Sequence, residues 1–202
     1  DTYVPVKVGI LLLGNSYDAG LNSTLYKYVE RVLEWNKVPY EVLDISSGQH
    51  PSMLAASGNL EYSALIVQAP GSAIESANSQ AILSAINRGM GAVAVVPDAT
   101  NAILNNAFGI TYQGGYLMSA WSIQMNKDKF TFAYAGNTIG ESSYFYGHTL
   151  MTGTDVVATF SGTAYPAIWT YSYGNGKTVY HNNTAACRFI YQGILLQSIL
   201  YA

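Results

Sequence analysis

Val8-Gly9-Ile10-Leu11-Leu12-Leu13-Gly14-Asn15 is the stretch that decides the fold. It is apolar nearly throughout, with no alternate polar positions to turn toward water, so it reads as a strand covered on both faces, the central strand of a parallel sheet. A polar loop over Asn15 to Asn22 follows, then an amphipathic segment over Ser23 to Asn36, then Pro39 and a second apolar run, Tyr40 to Ile45. Strand, helix and strand joined by a right-handed crossover make the two strands parallel neighbours.

In the predicted helix, Leu25, Tyr28, Val29, Val32 and Leu33 recur at three- and four-residue spacing and form one apolar stripe, with Asn22 or Ser23 as its cap. Ser46 to Leu60 reads as a Ser/Gly/Pro-rich connection with one helical turn at Met53 to Ala56. Ala64 to Gln68 is a third buried strand ending at Pro70-Gly71, Ile74 to Arg88 a helix stopped by Gly89, and Ala92 to Val96 a fourth strand broken by Pro97. Asn101 to Phe108 reads as a short helix.

From Thr111 to Thr163 the chain is rich in Gly and Tyr, with alternating pieces at Lys129 to Tyr134 and Asp155 to Ser161 that read as antiparallel or edge strands. Tyr165 to Tyr173, Gly174-Asn175-Gly176 and Lys177 to His181 form a β-hairpin, with Gly176 expected at positive φ. Ala185 to Tyr201 is a closing helix whose Phe189, Ile190, Ile194 and Leu200 face the sheet. The expected architecture is α/β: a mostly parallel central sheet flanked by helices, flavodoxin-like, with a C-terminal hairpin and helix, and residues 1–202 as one domain.

Charged residues make up only 10% of the 202, while 17 are Tyr, so the surface is built from hydroxyls, amides and rings. Such surfaces suit sugars, because an aromatic face packs on a pyranose ring while amides and carboxylates bond its hydroxyls. A net charge of −3 with no basic run argues against nucleic acid. No stretch reaches the roughly 20 apolar residues of a membrane helix. The chain opens on Asp1 and reads as a mature chain or one module of a larger protein. Its single Cys187 precludes an internal disulfide, and sequons at Asn22 and Asn182 lean toward secretion. His50, His148 and His181 are too scattered to suggest zinc, and no metal or cofactor is expected.

The element order resembles the class I glutamine amidotransferase-like fold. Tyr165-Pro166-Ala167-Ile168-Trp169, the turn Tyr173-Gly174-Asn175-Gly176-Lys177 and the strand Thr178-Val179-Tyr180 resemble its ThuA-like branch, as does Asn105 to Ile110. Catalytic members carry a Cys nucleophile on the turn after the fourth strand, and a His followed two residues later by a Glu after the last strand. Here the turn reads Pro97-Asp98-Ala99-Thr100, without Cys or Ser, and His181 is followed by Asn183 two residues on. The resemblance therefore implies a noncatalytic domain. It is similar to the modules that precede the deacetylase domain of fungal exopolysaccharide deacetylases, which bind galactosaminogalactan.

On that resemblance the partners are an amino-sugar polysaccharide and a neighbouring catalytic domain in the same polypeptide, and the location is secreted, in a cell wall or extracellular matrix. Ligands of open parallel sheets bind beyond the carboxyl ends of the strands. The carbohydrate-binding candidates are therefore Tyr17, Asp18, Asp98, Asn101, His181 and Asn182 at strand ends, with Tyr116, Trp121, Tyr144 and Tyr146 from the Tyr-rich insert. Two other readings stand beside this one: a hydrolase or isomerase using Asp98 and His181, and a structural domain that positions a neighbour.

Overall fold

A computed structural model of the chain describes residues 6–48, 50–126, 135–183 and 192–202; the side chains of 118–121, 140–144 and 192 lie outside it. The elements run in the order β1 (Val8–Leu12), α1 (Thr24–Trp35), β2 (Tyr40–Asp44), β3 (Ala64–Val67), α2 (Ser76–Asn87), β4 (Gly91–Ala94), β5 (Ile110–Tyr112), β6 (Tyr116–Met125), β7 (Thr138–Tyr146), β8 (Thr149–Leu150), β9 (Asp155–Phe160), β10 (Pro166–Tyr173), β11 (Gly176–His181) and α3 (Gln192–Tyr201).

Nine strands form one sheet in the order β2-β1-β3-β4-β11-β10-β9-β6-β7, and β5 pairs with β8 apart from it. From β2 to β11 every pairing is parallel; β1 lies inside that half, between β2 and β3, but the middle strand of its five is β3 and not β1 as expected. From β11 to β7 every pairing is antiparallel. The fold is α/β, as expected, but the sheet is mixed: half its pairings are antiparallel, so the expectation of a mostly parallel sheet is corrected. The physical reason lies in the connections: short links such as the β10–β11 turn can only return the chain antiparallel, whereas β1, β3 and β4 are each separated by crossovers long enough to restore direction.

Alternation along the strands divides the core. Val8, Ile10 and Leu12 of β1 face α1 and α3, packing with Val29, Leu33, Ile194 and Leu195. Leu11 points the other way, with Leu65 and Val67, onto Ile82, Ala85 and Ile86 of α2. Both faces are covered, which is why β1 and β3 carry no polar positions. In α1 the buried stripe is Leu25, Tyr26, Val29, Val32 and Leu33, so Tyr26 replaces the expected Tyr28, its hydroxyl donating to Glu30 at 2.8 Å. Ser23 caps this helix by accepting the Leu25 N–H at 3.0 Å, an arrangement that typically contributes about 1 kcal/mol.

Other local expectations shift. Met53 to Ala56 holds no helical turn; Leu54 instead bridges Leu60. Leu104–Asn106 is a single 3-10 turn rather than a helix. Leu200 is 71% exposed, so α3 closes over the sheet through Ile194, Leu195 and Ile199. Lys129 to Tyr134, Cys187, Phe189 and Ile190 lie outside the described residues. The β10–β11 hairpin is present, but positive φ falls on Gly174 (59°) and not on Gly176. Gly176 is needed for space, since a side chain there would collide with the carbonyls of Ile86 and Met90.

Candidate functional site

The loops after β1, β3 and β4 converge at the carboxyl edge of the parallel half-sheet. β1 is where the strand order turns back: β2 lies on one side of it and β3 on the other. Loops leaving strands on opposite sides of such a point part to form a crevice. A cleft of about 440 Å³ lies there, lined by Asp18 and Ala19 after β1, Gln68 and Pro70 after β3, Val96 and Asp98 after β4, and Tyr116 and Tyr146 from the β6–β7 ribbon.

Backbone contacts build its walls. Leu13 N–H bonds Ala19 O at 2.9 Å and Leu21 N–H bonds Gly14 O at 2.9 Å, which folds the Asp18 loop back on itself. Gly20 sits so close to the Gly14 and Leu13 carbonyls that no side chain fits there. Gly71 N–H bonds Asp98 O at 2.7 Å, locking the turn after β4 to the one after β3. Asp44 sets the neighbouring loop, accepting the N–H groups of Gly14 (2.7 Å) and Ser46 (2.8 Å), and these bonds hold its carboxyl below the usual range.

Of the residues named from sequence, Asp18, Asp98, Tyr116 and Tyr146 meet in this cleft. Tyr17 stands 77% exposed beside Asp18, outside the lining. Tyr116 is 50% exposed and meets Tyr146 edge to face, with ring centroids 5.8 Å apart. Trp121 and Tyr144 occupy β6 and β7 opposite Ser142 and Met118, and their side chains lie outside the described residues. Asn101 is a structural tie: its Nδ2 donates to Ser79 Oγ at 2.8 Å and its Oδ1 accepts the N–H groups of Ile103 and Leu104.

His181 and Asn182 lie beneath the rim, fully buried. The Ser198 hydroxyl donates to Ile194 O, so its oxygen accepts from His181 Nε2–H at 2.9 Å, joining β11 to α3. Burial drives the His181 pKa down to about 3, which keeps it neutral. Asn182 clamps the end of β7 and also bonds Pro166 O at 3.0 Å. With no exposed amide, the sequon at Asn182 is closed in the folded chain.

Two cleft-side residues had no sequence signal as site residues. His148 is buried behind Tyr146, with ring centroids 5.8 Å apart, and its Nε2–H donates to Pro97 O at 3.1 Å; burial lowers its pKa to about 4. Pro97 O also accepts the Tyr180 hydroxyl at 2.9 Å. Gln68 is the other, fully buried at the end of β3. A lone His or Gln in a loop carries no period or spacing to mark it; burial alone singles these two out.

The electrostatics are one-sided. Asp18 and Asp98 bring two carboxylates, and among the described residues no lining side chain is cationic. Burial pushes the Asp98 carboxyl above its ordinary value, and burial, followed by the Asp98 charge, raises the Tyr146 phenol. The cleft is thus an acceptor-rich, ring-walled space suited to a ligand with many donors. Among the described residues no group of three His, Cys, Asp or Glu is placed to hold a metal, and no helix is long and apolar enough to cross a membrane.

No family model matches the chain, and no curated protein matches it in sequence. Solved structures do match. A cytoplasmic protein from Salmonella typhimurium LT2 aligns over 96% of this chain and 98% of its own, with a TM-score of 0.74 at 10% identity. A ThuA-like protein from Bacteroides uniformis aligns over 96% and 90%, with a TM-score of 0.67 at 13% identity. The carbohydrate deacetylase Agd3 aligns over 98% of this chain but only 33% of its own, with a TM-score of 0.69 at 11% identity. The fold is therefore one shared with a ThuA-like protein and with one third of a carbohydrate deacetylase. The expectation of a secreted, cell-wall protein is corrected: a likeness that runs end to end is to a protein described as cytoplasmic, which points away from it. Low surface charge and sequons describe composition, not destination.

Proposed function

We propose that this domain is a noncatalytic carbohydrate-binding module whose ligand is an amino-sugar polysaccharide such as galactosaminogalactan, acting beside a polysaccharide deacetylase domain in a larger protein. The observation that carries the reading is the cleft itself, which sets two carboxylates against two tyrosine rings with no cationic lining side chain among the described residues. A sugar ring packs on the tyrosines, its hydroxyls and ammonium groups donate to the acids, and the cation is drawn to both charge and ring. The resemblance in fold to a stretch of Agd3 supports the carbohydrate class, and the turn Pro97-Asp98-Ala99-Thr100, lacking Cys and Ser, supports a site that binds without nucleophilic chemistry.

A hydrolytic alternative rests on one feature, the Asp98 carboxyl whose pKa is raised by burial beside the Tyr146 ring. His181 gives it no support, being bonded to Ser198 below the rim. Titrating the domain with galactosamine oligosaccharides of increasing length decides between them, together with assays on chromogenic esters and on the same oligosaccharides. Affinity that grows with length and no turnover is the expected result. Turnover abolished by Asp98→Ala overturns the noncatalytic reading, and no binding to any oligosaccharide overturns the carbohydrate reading.

A further inference from the structure

Gln68 is costly to the fold as it stands. Its side chain is fully buried, yet Oε1 has no hydrogen-bond partner among the described residues. Among the described residues its Nε2 makes a single long bond, donating to Gly20 O at 3.3 Å. That carbonyl already accepts the Ser23 N–H at 3.0 Å, so it would stay satisfied without Gln68. An apolar side chain of the same length would fill the space without an orphaned acceptor, and the unfolded chain, by contrast, hydrates the whole amide. The Gly20 contact also fixes which way the amide faces, because only the NH₂ end can meet a carbonyl.

Gln68 lines the same cleft as Asp18 and Asp98. We propose that Gln68 is a specificity-determining residue of this site, its Oε1 supplying the third side-chain acceptor for the ammonium group of an unacetylated amino sugar. The inference rests on the carbohydrate reading above. An ammonium group has three N–H donors and no acceptor, matching two carboxylates and an amide oxygen, whereas an N-acetylated sugar offers one N–H and brings a carbonyl that these acceptors repel. Oε1 is closed to solvent in the unliganded domain, so the ligand reaches it by a displacement of the lining. The cost that Gln68 places on the unliganded domain is recovered only with a ligand that fills the orphaned site.

The test uses the purified domain with galactosamine oligosaccharides and their N-acetylated counterparts, titrated against wild type and Gln68→Met. Wild type is expected to prefer the free amine. Gln68→Met is expected to melt at the same or a higher temperature, to lose about tenfold in affinity for the free amine, and to bring the two ligands' affinities together. The Gln68 side-chain NH₂ resonances of wild type should shift on adding the free-amine ligand, a readout that does not depend on the variant folding. If wild type binds a glycan and neither the variant's affinity nor those resonances change, the assignment of Gln68 fails while the carbohydrate reading stands. If wild type binds neither ligand, both fall.

Discussion

Asn182 holds Tyr146 by both of its backbone groups: Nδ2 donates to the Tyr146 carbonyl at 2.8 Å and Oδ1 accepts the Tyr146 N–H at 3.0 Å. Tyr146 ends β7 on the far antiparallel side of the sheet, while Asn182 follows β11 of the parallel half. This one amide thus fixes where a cleft ring stands relative to the strand ends that carry Asp98. Asn182→Ala removes both bonds, and the one to Pro166 O, from a buried place; the Tyr146 carbonyl keeps the His148 N–H at 2.9 Å, but the Tyr146 N–H loses its acceptor. A loss of about 3 kcal/mol in urea unfolding is expected, with weaker glycan binding even where the variant is fully folded. Unchanged affinity in the folded variant would show that Tyr146 needs no such anchor.

Acid should unfold the domain earlier than its few carboxylates suggest. His148 and His181 are held neutral by burial, with pKa values near 4 and 3, while in the unfolded chain both take up protons near 6.5. Their full contribution is present above pH 6.5 and is lost as pH falls from there toward the folded values, at up to about 1.4 kcal/mol per pH unit for each histidine. Urea midpoints measured from pH 7.5 to 4.5 should therefore fall steeply below 6.5, and His148→Gln should flatten that slope. An identical slope in the variant would mean that His148 titrates normally in the folded state.

Gly176→Val should destabilise the fold through collision, not through backbone strain. The residue lies at negative or extended φ, but its Cα faces the carbonyls of Ile86 and Met90 at the end of α2. Inserting a branched side chain forces the β10–β11 hairpin away from that helix, a change that costs about 1–3 kcal/mol where packing is tight. A melting temperature equal to wild type would contradict the close approach.

The parallel half-sheet was legible in the sequence because strands buried on both faces must be apolar at every position, as Val8 to Leu12 and Ala64 to Val67 are. The hairpin was legible from its glycine turn. The β6–β7 ribbon was not: within Tyr116 to Met125 only Trp121 to Met125 alternates apolar and polar, the register shifts before it, and its partner is fixed only by tertiary pairing. Asp18 and Asp98 could be placed because loops after parallel strands converge at one edge. Which polar strand-end residues point up into the cleft, as Asp98 does, and which point down into the core, as Asn182 does, depends on packing that a linear pattern does not record.

Asp98→Asn should make the domain more stable and less able to bind. Burial raises the Asp98 pKa above 3.8, so the folded state holds its proton more tightly than the unfolded one. The carboxyl is therefore neutral to stability below the ordinary carboxylate range, and it destabilises increasingly as pH rises from about 3.8 toward its folded value, with the full cost present at neutral pH. Asparagine keeps the shape and drops the charge, so at pH 7 the variant should melt higher, by about 2 °C for a partly solvated group in a domain of this size. The same change removes half of the cleft's carboxylate charge, since Asp18 is its other lining acid. Affinity for galactosamine oligosaccharides should fall, and so should its sensitivity to salt, because screening over about 8 Å at physiological ionic strength weakens the charge contribution while leaving ring stacking intact. Measuring melting temperature and affinity for both forms at low and high salt separates the two effects. A variant that melts higher but binds as tightly as wild type, with the same salt dependence, would remove Asp98 from the binding site while leaving its burial explained.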